Sequence, residues 1–354
     1  MSVVAPPSAQ EPPSTPDSPL AGPRRRLTLG LLACAVVLVA TSVASVAIGT
    51  ENVAPHEVWS ALTHYTDRGN EWIVRDLRVP RTVLAIVVGV AIGLSASLIQ
   101  AVTRNPLADA QVLGVNSGAS LCVVWAISFL GAQRITDYLW FAFAGAMAGI
   151  VIVYLVSSLS RAAGNPVQML LAGVALGAIM DGANFTVRLH DPRAFDAMRF
   201  WDTGALDERP LSVTAVVAPF VVVGMILCFA VSRSLNVVAM GDDLATAMGG
   251  RLRRTRVTAL VAVTLLAGAA TAACGPIGFI GLMVPHIVRR LTGPDWRWIM
   301  AYSTMVGPSL LLVADVVGRL IIRPSELPAG IVTAFIGAPV LIWLIRRESA
   351  RAGR

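Results

Sequence analysis

Between residues 27 and 345 the chain alternates long apolar runs with short polar breaks. The runs fall at about 27–48, 80–101, 112–131, 138–158, 167–187, 211–232, 257–275, 278–292, 298–317 and 328–345. Most lie near the roughly 20 residues that an α-helix needs to cross a hydrocarbon layer about 30 Å thick. A backbone in lipid must satisfy its own hydrogen bonds, which leaves helices as the economical solution. The pattern therefore predicts an all-α, polytopic membrane protein with ten transmembrane helices in a single bundle. Gly89, Gly93, Gly173, Gly177, Gly275, Pro276, Gly278, Gly281 and Pro285 punctuate these spans. Small residues let helices approach closely and prolines interrupt the backbone ladder, so the spans read as a packed bundle rather than simple anchors.

The polar flanks complete the plan. Residues 1–23 hold seven prolines among Ser, Thr and acidic residues, too little apolar surface to fold alone. Residues 1–26 are thus expected to be a disordered cytosolic tail, 27–346 the membrane domain, and 347–354 a short cytosolic C-terminal tail. Arg24-Arg25-Arg26 before a long apolar run looks at first like a signal peptide, but the run is too long, and a first membrane span is expected. With that tail inside, Arg104, Arg161, Arg233, Arg251, Arg253, Arg254, Arg256, Arg289, Arg290, Arg297, Arg346 and Arg347 fall in cytosolic segments and the outer segments hold fewer. Orientation follows basic residues in short loops, so both termini are placed in the cytosol of a multi-pass cytoplasmic-membrane protein.

Composition agrees with this plan and narrows the function classes. The 354 residues are 55% hydrophobic and only 14% charged, with mean hydropathy +0.70, whereas soluble domains carry about 25% charged residues. The net charge of +7 comes from arginines scattered between apolar runs, with no basic face for nucleic acid. Cys34, Cys122, Cys228 and Cys274 each stand alone, without C-x-x-C spacing or a neighbouring His pair, and read as small core residues rather than metal ligands. No G-x-x-x-x-G-K-[ST] loop occurs, so any ATP must be hydrolysed by a separate subunit.

Several polar interruptions are candidates for chemistry. The segment 236–256 contains Gly241, Asp242 and Asp243, then Leu244 and Ala247, then Gly249 and Arg251. Acids at the start and glycines at the end frame a short amphipathic helix, either a solvated connector or a docking helix for a cytosolic partner. In LRVPR, Arg78 and Arg81 lie three apart around Pro80. They either snorkel at the bilayer edge or point outward together towards carboxylates of a delivery protein. Asn105, Pro106 and Leu107 follow Arg104 where the span must end, as a cytosolic constriction or a plain helix terminus. Asp315 and Arg319 lie four apart and can pair, while Asp181 has no evident partner within its run. An acid in a span costs on the order of 2.5–3.5 kcal/mol, so both should face protein or a wet cavity. His286, after Pro285 near a helix end, is read as a structural residue.

Taken in order, the segments RVPRTVLAIVVGVAIGLSASLIQAVTRNPLADAQVLGVNSGAS, LAGVALGAI, RFWDTGAL, VVAMGDDLATAMGG, GPIGFIGLMVPHIVRRLTG and ADVVGRLIIRPSELPAGIVTAFIGAPV resemble the permease subunits of ATP-binding-cassette importers for ferric siderophores, haem and vitamin B12. The resemblance runs from about Leu27 to Arg347. It implies a ten-helix subunit paired with a second permease, identical or homologous, above two cytosolic ATPase subunits and below an extracytoplasmic substrate-binding protein. It implies that Arg78, Arg81 and Arg319 dock that binding protein, that Asn105 and Leu107 belong to a cytosolic gate with Arg161–Asn165 nearby, and that Gly241–Arg251 seats on the ATPase. The helix at about 167–187 would line the pathway. Three departures stand out: the Pro-rich tail, Asp109-Ala110 where a proline is more usual at the second position, and Ala205 where Ser is usual.

The expected cargo is a ferric siderophore or a related iron chelate, with haem or vitamin B12 as alternatives. No cofactor, metal site or catalytic residue is expected in this chain, and ATP and Mg are expected only at the partner ATPase subunits. The rival from another class is a proton-coupled secondary transporter using Asp181 and Asp315. A membrane enzyme built on His286 lacks a nucleophile or metal cluster.

Overall fold

The computed structural model describes residues 21–65, 70–158, 166–241 and 251–352. Among these, the chain folds into twelve α-helices: α1 (Ala21–Ala47), α2 (Pro55–Thr63), α3 (Val79–Thr103), α4 (Val115–Leu130), α5 (Ile135–Ser158), α6 (Pro166–His190), α7 (Pro192–Trp201), α8 (Leu211–Val238), α9 (Leu252–Cys274), α10 (Ile280–Thr292), α11 (Trp296–Ile321) and α12 (Ala329–Ala352). A π-helical turn, Ile73–Arg78, leads into α3, and a 3-10 turn, Ala110–Leu113, leads into α4.

Each of the ten apolar runs lies in its own helix, which bears out the all-α reading. Seven helices are long and apolar enough to cross a membrane, and Val115–Leu130 and Ala329–Ile342 are shorter apolar helices. α10, with 13 residues, rises only about 20 Å at 1.5 Å per residue. The two helices the pattern did not foresee, α2 and α7, are short and lie in polar breaks. Both start with a proline at the first helical turn, where a missing N–H removes no helical bond, and Asp191 caps α7 by accepting from the Arg193 amide at 3.0 Å.

Two boundaries differ from expectation. α1 begins at Ala21 rather than Leu27, with Pro23 tolerated in its first turn. α12 continues to Ala352, through most of the segment expected to be a tail.

α3 is the centre of the bundle. It packs against α11, α9, α8 and α10, and from Leu84 to Ala101 almost every side chain is buried. Glycine sets two of the helix crossings. A Cβ on Gly89 would collide with the Pro308 backbone of α11, and one on Gly307 with the Gly89 carbonyl. Between α4 and α5 the arrangement is reciprocal: Gly118 faces the Gly145 carbonyl, Gly145 faces that of Gly118, and Gly149 faces that of Gly114. Backbones in direct contact replace side-chain interlocking, as small-residue motifs do in membranes.

α6 contrasts with α3. Only Gly173, Gly177 and Asn184 are buried among its described positions, while Leu171, Val174, Ile179, Phe185 and Leu189 are exposed. Its apolar surface is left for lipid or another chain.

Candidate functional site: an arginine cluster and a polar cavity

α1 ends at Ala47, Gly49 beyond it does not adopt the positive φ of a glycine cap, and the last carbonyls of the helix need donors. Arginines from three other segments provide them. Arg78 Nη1 donates to the Val46 and Ala47 carbonyls at 3.2 and 2.8 Å, and its Nη2 to Glu51 O at 2.6 Å. Arg319 Nη1 reaches the Ser45 and Ile48 carbonyls at 2.8 and 3.1 Å, and Arg323 Nη2 reaches Gly49 O at 2.9 Å. Cations at a helix C-terminus also answer its partial negative charge.

The same cluster buries an ion triad. Arg81 holds Asp315 with both Nε, at 2.9 Å, and Nη2, at 2.6 Å, while Arg319 pairs with the other carboxylate oxygen. Asp315 is wholly buried, and the second Arg81 terminus meets half-exposed Glu326 at 2.5 Å. Ser45 Oγ and Thr82 Oγ1, 2.8 Å apart, close the cluster beneath.

The i,i+4 pairing of Asp315 and Arg319 is therefore as expected, but Arg81 is its stronger-held partner and comes from 234 residues away. The reading of Arg78 and Arg81 as guanidinia pointing outward together is corrected. Arg78, Arg81 and Arg319 are only 4%, 9% and 1% exposed and are turned onto α1, Asp315 and Glu326. Orphan carbonyls and a buried carboxylate outcompete water for these donors.

The opposite end of α3 closes with Arg104 in the left-handed region, φ 51°, followed by a tight turn. Asn105 Oδ1 accepts from the Leu107 amide at 2.9 Å and Asn105 O from the Ala108 amide at 3.2 Å, leaving Leu107 half exposed. The chain then re-enters the bundle. Asp109 accepts from the Gln111 amide at 3.2 Å and packs against Gly281 at the start of α10, and burial pushes its carboxyl above the ordinary range. Gln111 Nε2 donates to the Ile277 carbonyl at 2.5 Å, and its Oε1 accepts from Asn116 Nδ2 at 3.1 Å.

A polar cavity of about 310 Å³ lies between α4, α6 and the turn after α7. Asp181, Asn184 and Arg188 occupy one face of α6 at i, i+3 and i+7. Asn184 donates to Ser120 of α4. Arg188 Nε bonds Asn184 Oδ1 at 2.7 Å, its Nη2 bonds Ser120 Oγ at 3.1 Å, and its Nη1 pairs with Asp202 at 2.5 Å. Asn116 and Trp201 complete the wall. Among the described residues the exposed Asp181 carboxylate has no hydrogen-bond or ion-pair partner. The Trp201 indole N–H, in a residue only 3% exposed, has none either.

The turn that carries Trp201 joins three distant segments. Ala205 N bonds Cys274 O and Gly330 N bonds Gly204 O, both at 2.9 Å, and a Cβ on Gly275 would collide with the Trp201 carbonyl. RFWDTGAL, GPIGFIG and the start of α12 thus form one knot beneath the cavity. Sequence reasoning quoted these segments but did not bring them together, and it did not single out Asn116, Ser120, Asn184, Arg188 or Glu326. The polar i, i+3, i+7 spacing within an apolar run was the available signal.

Of the coupling segment, Asp242, Asp243, Leu244, Ala247 and Gly249 lie outside the described residues, as does Arg161–Asn165. Gly241, three residues beyond the end of α8, has φ 115°, and exposed Arg251 precedes α9. Among the described residues no group of three His, Cys, Asp or Glu side chains could hold a metal ion.

A bundle of apolar helices with a charged cavity beside a sparsely covered helix defines a multi-pass membrane transport protein. The sequence profile of the FecCD transport family matches residues 34–347, and the chain belongs to that family of ABC-importer permeases. It is 41% identical over 314 residues to the ferric enterobactin transport system permease FepD of Escherichia coli, covering 89% of this chain and 94% of that one. It is 33% identical to the hemin transport system permease HmuU of Yersinia pestis, covering 91% and 96%. A solved inward-facing structure of the metal-chelate ABC transporter type shares the fold, with TM-score 0.78 at 22% identity over 90% of this chain and 99% of that one.

Proposed function

We propose that this permease carries a ferric siderophore, or a closely related iron chelate, across the cytoplasmic membrane, drawing on ATP hydrolysed by two partner ATPase subunits. The single observation that supports this best is the polar cavity on the helix least covered by its own chain. An acid that neither pairs nor hides within the chain must face water or another subunit when its helix sits in lipid. α6 then lines a pathway completed by a second permease copy or a homologue.

The named relatives are ferric enterobactin and hemin transport system permeases, which supports an iron chelate as cargo and haem as the nearest alternative. Asp315 is a poor carrier for a proton-coupled mechanism, because it is wholly buried and both of its carboxylate oxygens are engaged by guanidinia, with no open path to water.

Both termini face the cytosol in this reading. Exposed Arg251, Arg253 and Arg254 crowd the N-terminal end of α9, where cations oppose the helix dipole. They call for acidic partners, which the cytosolic leaflet and an ATPase surface provide. Gly241, Asp242, Asp243, Leu244, Ala247, Gly249 and Arg251 form the coupling segment that transmits ATPase closure, and Asn105 with Leu107 belongs to the inner gate. At the outer end, Arg78, Arg81, Arg319 and Arg323 outnumber Asp315, Glu326 and Glu51, a positive excess that attracts acidic lobes of a binding protein.

Proteoliposomes holding two permease copies, the ATPase pair and the binding protein test the reading. Uptake of ⁵⁵Fe-chelate should require ATP at the ATPase face and survive collapse of the proton gradient. Uptake without nucleotide that vanishes with the gradient would overturn it.

A further inference from the structure

We infer that the cavity formed by Asn116, Ser120, Asp181, Asn184, Arg188 and Asp202 is a cargo subsite that selects neutral or cationic, hydrogen-bond-donating Fe(III) chelates and disfavours polyanionic ones. The inference rests on the importer reading above and assigns it a substrate class.

The charges decide the preference. Among the described residues Arg188 is the one cation in the cavity wall, and its three donor nitrogens are already engaged by Asp202, Asn184 and Ser120. Asp202 is neutralised by that pair. Asp181 is left as an uncompensated carboxylate, so the cavity carries a net negative charge.

Its wider surroundings do not reverse this. Residues 181–210 hold six acids against four arginines, in a chain whose overall charge is +7. A trianionic ferric tris-catecholate entering here would meet repulsion from Asp181 without a free guanidinium to answer it. A ferric trihydroxamate with an ammonium arm would find Asp181 as its counter-ion.

The unpartnered polar groups point to a ligand independently. The Asp181 carboxylate can accept from an amide or ammonium N–H, and the buried Trp201 indole N–H in the same wall is left without a partner. An open carboxylate acceptor beside a wall of amide and hydroxyl groups suits a chelate periphery rich in amides. A wholly apolar pathway would show neither.

The test uses the full-length permease with its ATPase subunits in lipid nanodiscs and without a binding protein, so that only the permease can discriminate. Equilibrium binding is measured with three ⁵⁵Fe probes: the ferric complex of desferrioxamine B, its N-acetylated form lacking the ammonium, and ferric enterobactin. The ammonium-bearing complex should bind about tenfold more tightly than the tris-catecholate, the size of one charge contact of about 1.4 kcal/mol at partial screening. Asp181→Asn should remove most of that advantage while changing the N-acetylated complex little. Asp181 has no partner among the described residues, so the variant keeps its fold.

Equal binding of cationic and anionic chelates, an unaltered ranking in Asp181→Asn, or no binding of any probe would overturn the subsite. These outcomes are separable from failure of the importer reading, which shows as loss of ATP-driven uptake for every chelate.

Discussion

Asp315 and Glu326 both pair with Arg81, yet their energetic roles differ because their surroundings differ. Asp315 has no solvent exposure and two guanidinium partners, whereas Glu326 keeps 30% of its side chain exposed. Breaking a buried charge pair by removing one partner costs about 3–5 kcal/mol, and a solvated pair contributes about 0–1 kcal/mol. Asp315→Asn should therefore markedly lower the melting temperature of detergent-solubilised protein, and Glu326→Gln should leave it nearly unchanged. Glu326→Gln should instead strengthen association with an acidic binding-protein surface by freeing one end of Arg81, with the gain fading at high salt. Unchanged melting in Asp315→Asn would remove the ion triad from the account. At this scale the sequence was only partly legible. The Asp315–Arg319 spacing revealed a local pair, but Arg81 reaches Asp315 across 234 positions and no periodicity encodes that contact. The α1 carbonyls that consume Arg78 were equally invisible, because their need for donors arises only once α1 ends beside α3.

Helix positions were the most legible feature, since hydrocarbon thickness imposes run length directly on the sequence. All ten runs became helices, while α2 and α7 escaped notice because short amphipathic helices in polar breaks lack that signal. The irregular approach to α4 was likewise hidden. Asp109 and Gln111 lie in a connector by pattern, yet they are carried back into the bundle, where Gln111 is tied to the Ile277 carbonyl. Helix contacts depend on glycine more than on side-chain size. Gly118→Leu places bulk against the Gly145 carbonyl and should force α4 and α5 apart, costing about 1–3 kcal/mol or more. Gly182→Ala in α6, where nothing lies within 4 Å of the added methyl, should be neutral or slightly stabilising. Thermal melts of both variants in one detergent check this, and equal losses would contradict glycine-set packing at the α4–α5 crossing.

At the scale of the whole molecule, charge is distributed by side and by task. The ends of α1, α3 and α11 that meet at Asp315 are locked by buried arginines, α6 is sparsely covered beside a charged cavity, and the N-terminal end of α9 displays exposed Arg251, Arg253 and Arg254. In the proposed reading the arginine knot faces outward and α6 lines the pathway, which suits a subunit driven from one side and receiving cargo from the other. That arrangement stands or falls on which side residues 241–251 face. In a background with Cys34 and Cys122 replaced by serine, Ala245→Cys should react with a membrane-impermeant maleimide in inside-out vesicles and remain unlabelled in right-side-out vesicles. Labelling in right-side-out vesicles would put the coupling segment on the outer face and contradict the account.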